Sequence, residues 1–130
     1  MKIFGIGTDI VNIKRIEKTL KLNGSKFKKR VFSEKEIKYC EKKRYPFSFY
    51  AKRFAAKEAF TKALGTGISK GIILKDIEIS NKANGKPFIK LKGIPYSYLK
   101  KKIRNKKYRI HLSLSDDKPW AQATVIITYI

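Results

Sequence analysis

Glu58 and Lys62 stand four residues apart in the stretch Arg53-Phe-Ala-Ala-Lys-Glu-Ala-Phe-Thr-Lys-Ala-Leu-Gly-Thr-Gly-Ile68. On a helix that spacing brings a carboxylate and an ammonium out on adjacent turns of one surface. The plain alternative is a surface ion pair with no further role. Two features favour chemistry: acidic residues are scarce in this chain, and the pair runs directly into Gly65-Thr66-Gly67, a polar turn flexible enough to approach a phosphate. As a phosphate loop the turn is weak alone, because it follows a helix where the common phosphate loops precede one. A second carboxylate, Asp9, lies inside the apolar run Lys2-Ile-Phe-Gly-Ile-Gly-Thr-Asp-Ile-Val11. A carboxylate there must be paired, hydrogen-bonded or bound to a cation. His111 is the only histidine, and Ser113 and Ser115 share its face of a strand. A structural role is the usual one for such a histidine. No carboxylate is placed by sequence to orient it for nucleophilic catalysis, which excludes a serine hydrolase.

The elements that must position these groups follow from local signals. Residues 2–11 form a first strand, with Gly5 and Gly7 marking a bulge or a close backbone approach. Asn12 caps a helix from Ile13 to about Leu22, closed by Gly24, with Ile13, Ile16 and Leu20 on its core face and Lys14, Lys18 and Lys21 opposite. Ser33 and Glu36 make a capping box for a helix to about Lys43. Pro46 opens the long central helix, which Gly65 ends. On that helix Ala55, Ala56, Ala59, Phe60, Ala63 and Leu64 share one half of the wheel, while Phe54, Lys57, Glu58, Thr61 and Lys62 share the other. Further on come a strand over Ile72–Ser80, a hairpin at Asn84-Gly85 with a return strand Pro87–Leu91, and a short helix over Pro95–Ile103. The alternating strand Tyr108–Ser115, a turn over Asp116–Pro119 and a last apolar strand Trp120–Ile130 complete the chain.

With 130 residues the chain is one domain, 1–130, large enough for a core without staples. No run of apolar residues approaches a membrane span, no signal-peptide pattern opens the chain, and the single Cys40 leaves no disulfide framework. Cytoplasmic residence is the default expectation. The charge is extreme, with 32 Lys plus Arg against 10 Asp plus Glu and a net of +22. Such a balance calls for an acidic partner, or else reflects a compositional bias toward lysine.

Taken in order, Gly5-Ile-Gly-Thr-Asp-Ile-Val11, Arg53-Phe-Ala-Ala-Lys-Glu-Ala59, Lys62-Ala-Leu-Gly-Thr-Gly-Ile68, Gly85-Lys-Pro87 and His111-Leu-Ser-Leu-Ser-Asp116 resemble the short type of 4′-phosphopantetheinyl transferase, the bacterial holo-[acyl-carrier-protein] synthases. The resemblance spans nearly the whole chain and is specific in the combination of motifs. It implies an α+β fold, a 4′-phosphopantetheinyl transferase-like antiparallel sheet packed against a long central helix. It implies transfer of 4′-phosphopantetheine from coenzyme A to a serine of apo acyl carrier protein, releasing adenosine 3′,5′-bisphosphate. By the same resemblance Asp9 and Glu58 hold Mg²⁺ and Lys62 offsets charge at the phosphates. Glu58, or a water it holds, accepts the serine proton. Gly65, Thr66 and Gly67 lie near the phosphates, and Pro87 and His111 near the nucleotide. Arg15, Lys26 and Arg30 face the acidic carrier protein. A homotrimer with sites at its subunit interfaces is implied, with neither a nucleic-acid nor a membrane partner. Lys82, in the hairpin loop, is assigned no role.

The rival from another class is a small basic RNA-binding or ribosome-associated protein, with Phe47, Phe49 and Tyr50 stacking on bases. It leaves Asp9 and Glu58 unexplained, and no RNA-binding signature accompanies the charge.

Overall fold

The computed structural model describes residues 1–130. Its elements are β1 (Lys2–Asn12), α1 (Ile13–Val31), α2 (Glu34–Glu41), α3 (Pro46–Leu64), β2 (Ile77–Asn81), β3 (Pro87–Leu91), α4 (Gly93–Lys102), β4 (Tyr108–Asp117) and β5 (Trp120–Tyr129). A three-stranded antiparallel sheet runs in the order β1-β5-β4, and a separate antiparallel pair is formed by β2 and β3. The expected α+β architecture is therefore present, with its strands divided between two sheets.

The larger sheet packs against α3 through small residues. Gly5, Gly7, Asp9 and Val11 of β1 alternate toward the helix, beside Ala121, Ala123, Val125 and Ile127 of β5, which are fully buried. A Cβ on Gly5 would collide with the carbonyl oxygen of Ala63, and one on Gly7 with that of Ala59. Both expectations for these glycines hold together, because the register also shifts between Ile3 and Gly5. Ala55, Ala59 and Ala63 bury the facing side of α3.

Several local signals act as expected. Asn12 Oδ1 accepts from the Lys14 amide, Ser33 and Glu36 form the capping box, Pro46 occupies the first turn of α3, and Gly65 ends that helix at φ +88°. Others are overridden. At Gly24 α1 does not end: it kinks at Asn23 and resumes to Val31, because Phe27 and Val31 dock into the core. The basic run 26–30 is therefore helical. Residues 72–76 are not strand; Leu74–Asp76 form a single 3₁₀ turn before β2 begins at Ile77.

The largest departure concerns α3, whose two-faced wheel does not survive packing. Lys57 and Thr61, assigned to the polar half, are both fully buried. Lys57 Nζ donates to Glu36 Oε1 at 2.8 Å, to the Leu74 carbonyl at 2.9 Å and to the Ile77 carbonyl at 2.6 Å. Glu36 also accepts from the Ser33 and Ile79 amides. A buried ammonium is tolerable only when each of its protons finds an acceptor, and here all three do. The pair ties α2, α3 and the start of β2 together.

Candidate active site

Asp9 sits two residues beyond Gly7 on the face of β1 that meets α3. The missing side chain at Gly7 admits the helix backbone, so Asp9 arrives beside the last turns of α3. Lys62 Nζ donates to Asp9 Oδ1 at 3.2 Å and to the Thr8 carbonyl at 2.9 Å. One turn earlier, Glu58 shares a cavity of about 370 Å³ with Asp9, Asn12, Arg15, Phe27, Phe54 and Trp120. Burial, then the neighbouring Asp9 charge, hold the Glu58 carboxyl above the usual glutamate range, against a smaller opposing pull from Lys62. A glutamate whose ionisation is opposed by burial and by a second carboxylate at the same cavity marks a site short of positive charge.

A second cavity of about 430 Å³ meets the first at Phe27, Phe54 and Glu58. Its walls are largely apolar, formed by Val31, Ile68, Ile72, Ile73 and Leu74, with Arg30 at its rim. Glu58 thus stands where a cavity of mixed polar and apolar lining passes into a largely apolar one, flanked by two aromatic rings. Of the candidate carrier-protein contacts, Arg15 lines the first cavity and Arg30 the second, whereas Lys26 is exposed on α1 and lines neither.

The Gly65-Thr66-Gly67 turn is closed on itself. The amides of all three residues donate to the Thr61 carbonyl at 3.1–3.2 Å, and Thr66 Oγ1 donates to the Gly67 carbonyl. It is therefore a helix terminator next to Lys62, not a free cradle of N–H groups; a phosphate nearby would be met by side chains.

Pro87 and His111 come together, but not with Asp9. They line a separate cavity of about 390 Å³ with Lys82, Lys86, Phe88 and Arg109, none of which borders either cavity at Glu58. The ladder explains the separation. Asp9 lies in register with Ala123 and Leu114, His111 with Ile126 and Ile6, so they differ by three rungs and two strands, roughly 10 Å in each direction. His111 also projects from the opposite sheet face, where its Nε2 lies 3.0 Å from Thr128 Oγ1. Sequence reasoning missed Lys82, Lys86 and Arg109; the hairpin at Asn84-Gly85 was the available signal that Lys82 and Lys86 flank Pro87.

The model of the 4′-phosphopantetheinyl transferase superfamily matches residues 5–125. The chain belongs to that superfamily. Among its transferase relatives, a Brucella ovis protein named holo-[acyl-carrier-protein] synthase is 47% identical over 126 residues, covering 96% of this chain and 94% of that one. The crystal structure of holo-[acyl-carrier-protein] synthase from Neisseria meningitidis superposes with a TM-score of 0.85 at 38% identity, covering 98% of this chain and 99% of that chain. The Helicobacter pylori enzyme of that name, solved in complex with coenzyme A, gives a TM-score of 0.81 at 38% identity over 95% of this chain and 99% of its own. Of the three aromatic residues that the RNA-binding alternative would stack on bases, Tyr50 is fully buried, 5.0 Å from the Phe32 ring, and Phe47 and Phe49 are partly buried against the core. Cys40 is likewise buried, its thiol pushed up to about 12, which excludes a cysteine nucleophile. No helix is long and apolar enough to cross a membrane.

Proposed function

We propose that this chain is a holo-[acyl-carrier-protein] synthase, transferring 4′-phosphopantetheine from coenzyme A to a serine of apo acyl carrier protein. The observation that carries the reading is the convergence of Asp9 and Glu58 at one cavity, with Lys62 hydrogen-bonded to Asp9, in a chain of this superfamily. The serine oxygen attacks the β-phosphorus of coenzyme A and adenosine 3′,5′-bisphosphate leaves.

The donor set fits Mg²⁺. Asp9 and Glu58 offer carboxylate oxygens without nitrogen or sulfur, and no third acidic, histidine or cysteine side chain joins them. A small hard cation that keeps several waters needs no more. When bound there, the ion would neutralise pyrophosphate oxygens. Lys62 is half-exposed and free to swing from Asp9 toward an incoming phosphate, adding a point charge where negative charge accumulates. Glu58, whose proton affinity is raised, is the better placed of the two carboxylates to take the serine proton, directly or through a water. The adjoining apolar cavity suits the uncharged stretches of the pantetheine arm.

Separation of the Pro87–His111 cavity from Asp9 and Glu58 supports sites shared between copies of the chain. The sheet face bearing His111 exposes Ile6 and Ile10, each at 62%. A homotrimer with its sites between copies would pair one copy's nucleotide-side residues with another copy's carboxylates. Arg15 and Arg30, which line the two cavities, and the exposed Lys26 on α1 supply the positive surface for an acidic carrier.

The direct test is to incubate the protein with apo acyl carrier protein, coenzyme A and Mg²⁺ and weigh the carrier. A phosphopantetheine mass gain is expected. A proven carrier that stays unmodified overturns the reading.

A further inference from the structure

Arg53 lies on α3 at 3% exposure, yet no carboxylate pairs with it. Its guanidinium stacks on Tyr39, 4.1 Å from the ring centroid, and its Nε has no hydrogen-bond partner. Burying a cation with so little compensation is costly. The one polar contact it makes is directed: Nη2 donates to Asn81 Oδ1 at 2.7 Å. The other end of the same amide, Asn81 Nδ2, donates to the Gly85 carbonyl at 2.9 Å, inside the turn of the β2–β3 hairpin.

We propose that Asn81 is a positioning residue for nucleotide binding, coupling the buried Arg53 of the central helix to the Lys82–Lys86 turn and so holding Lys82, Lys86 and Pro87 against His111. This rests on the reading that the Pro87–His111 cavity receives the nucleotide of coenzyme A. The physical need is clear from the turn. A five-residue two-stranded ribbon is marginal by itself, and residues 82–86 are all exposed. Backbone bonds from Gly85 to Lys82 and from Lys82 to Lys86 shape the turn, but they do not fix it relative to the core. The Asn81 amide does. It occupies the rung opposite Pro87, so it sits at the hinge between the ribbon and the residues that line the cavity. Only an amide serves here, since one end must accept from a guanidinium and the other must donate to a carbonyl. Preorganisation of this kind lowers the ordering cost of binding and leaves the chemical step alone.

The test uses three variants of the full chain. Asn81→Asp keeps the acceptor for Arg53 and loses only the donor to Gly85; Asn81→Ala loses both; Lys86→Ala alters the cavity wall directly. Binding of adenosine 3′,5′-bisphosphate is measured by calorimetry, and the KM for coenzyme A, the KM for acyl carrier protein and kcat by transfer assay. For Asn81→Asp the expectation is about tenfold weaker nucleotide binding and a matching rise in KM for coenzyme A, with kcat and the carrier KM unchanged. Its thermal midpoint should be equal to or above that of the parent, because a carboxylate compensates Arg53. The loss should persist at high salt, where simple repulsion by the new charge would fade. Asn81→Ala should show the same binding loss with a lowered midpoint. Parent-like nucleotide binding by Asn81→Asp, with binding weakened by Lys86→Ala, overturns the coupling and leaves the cavity assignment standing. Parent-like binding by all three variants overturns both. A binding loss in Asn81→Asp that disappears at high salt also overturns the coupling.

Discussion

Lys57 and Glu58 are adjacent on α3, and replacing each should separate stability from chemistry. Lys57→Met keeps the length of the side chain but removes all three donors, stranding the Glu36 carboxylate and the Leu74 and Ile77 carbonyls in the core. Breaking a buried ion pair by removing one partner costs about 3–5 kcal/mol. For a domain of this size each kcal/mol lowers the thermal midpoint by roughly 3–5 °C, so a fall on the order of 10–20 °C is expected. Glu58→Gln removes a carboxyl whose burial and whose Asp9 neighbour oppose its charge. Its folded proton affinity is raised, so the stability it contributes is present at acid pH and is lost as pH rises through the folded value. At neutral pH, without metal, Glu58→Gln should therefore match or slightly exceed the parent in stability while losing most activity. Thermal unfolding at fixed protein concentration, beside the carrier mass assay, reads both quantities. A fall of less than about 3 °C for Lys57→Met would show that the Lys57–Glu36 contact contributes little net stability, refuting the ledger of lost bonds. A large fall for Glu58→Gln would make Glu58 a structural residue.

Asp9→Asn should leave the thermal midpoint near the parent's and remove most transfer activity, which excess Mg²⁺ restores only weakly; near-normal turnover at limiting Mg²⁺ would remove Asp9 from the ligand set. In the metal-free protein Asp9→Asn should also bring the Glu58 titration, followed by NMR, down toward the ordinary range, since one of its two raising causes is gone. Adding Mg²⁺ to the parent at mildly acid pH should release protons, visible calorimetrically as a dependence of the binding heat on the buffer. For the carrier, Lys26→Glu is the cleanest charge reversal, because Arg15 and Arg30 line cavities that include Glu58. It should raise the carrier KM and leave the coenzyme A KM unchanged, with less salt dependence than the parent, whereas Lys101→Glu on α4 should do neither. Lys82, assigned no role by the sequence, lines the Pro87–His111 cavity; Lys82→Glu should weaken nucleotide binding.

What the chain's order of residues determined by itself was local. Asn12, Ser33 with Glu36, Pro46, Gly65 and Asn84-Gly85 place element boundaries because a cap, a ring or a positive φ acts within four residues. The alternation of β4 assigns its faces for the same reason. Asp9, Glu58 and Lys62 were legible as a candidate site because a carboxylate in an apolar strand and a helical Glu/Lys pair beside a glycine turn are chemically conspicuous. Tertiary structure decided the rest. That Asp9 reaches Lys62 depends on Gly5 and Gly7 admitting the α3 backbone, a contact across more than fifty residues. Lys57 looked solvent-facing because no wheel shows acceptors on other elements, yet Glu36, Leu74 and Ile77 supply them. α1 runs past Gly24 because burial of Phe27 and Val31 outweighs a glycine's modest helix penalty. The distance between His111 and Asp9 is a matter of strand register, set by which face of each strand meets α3, and register is invisible until the strands are paired.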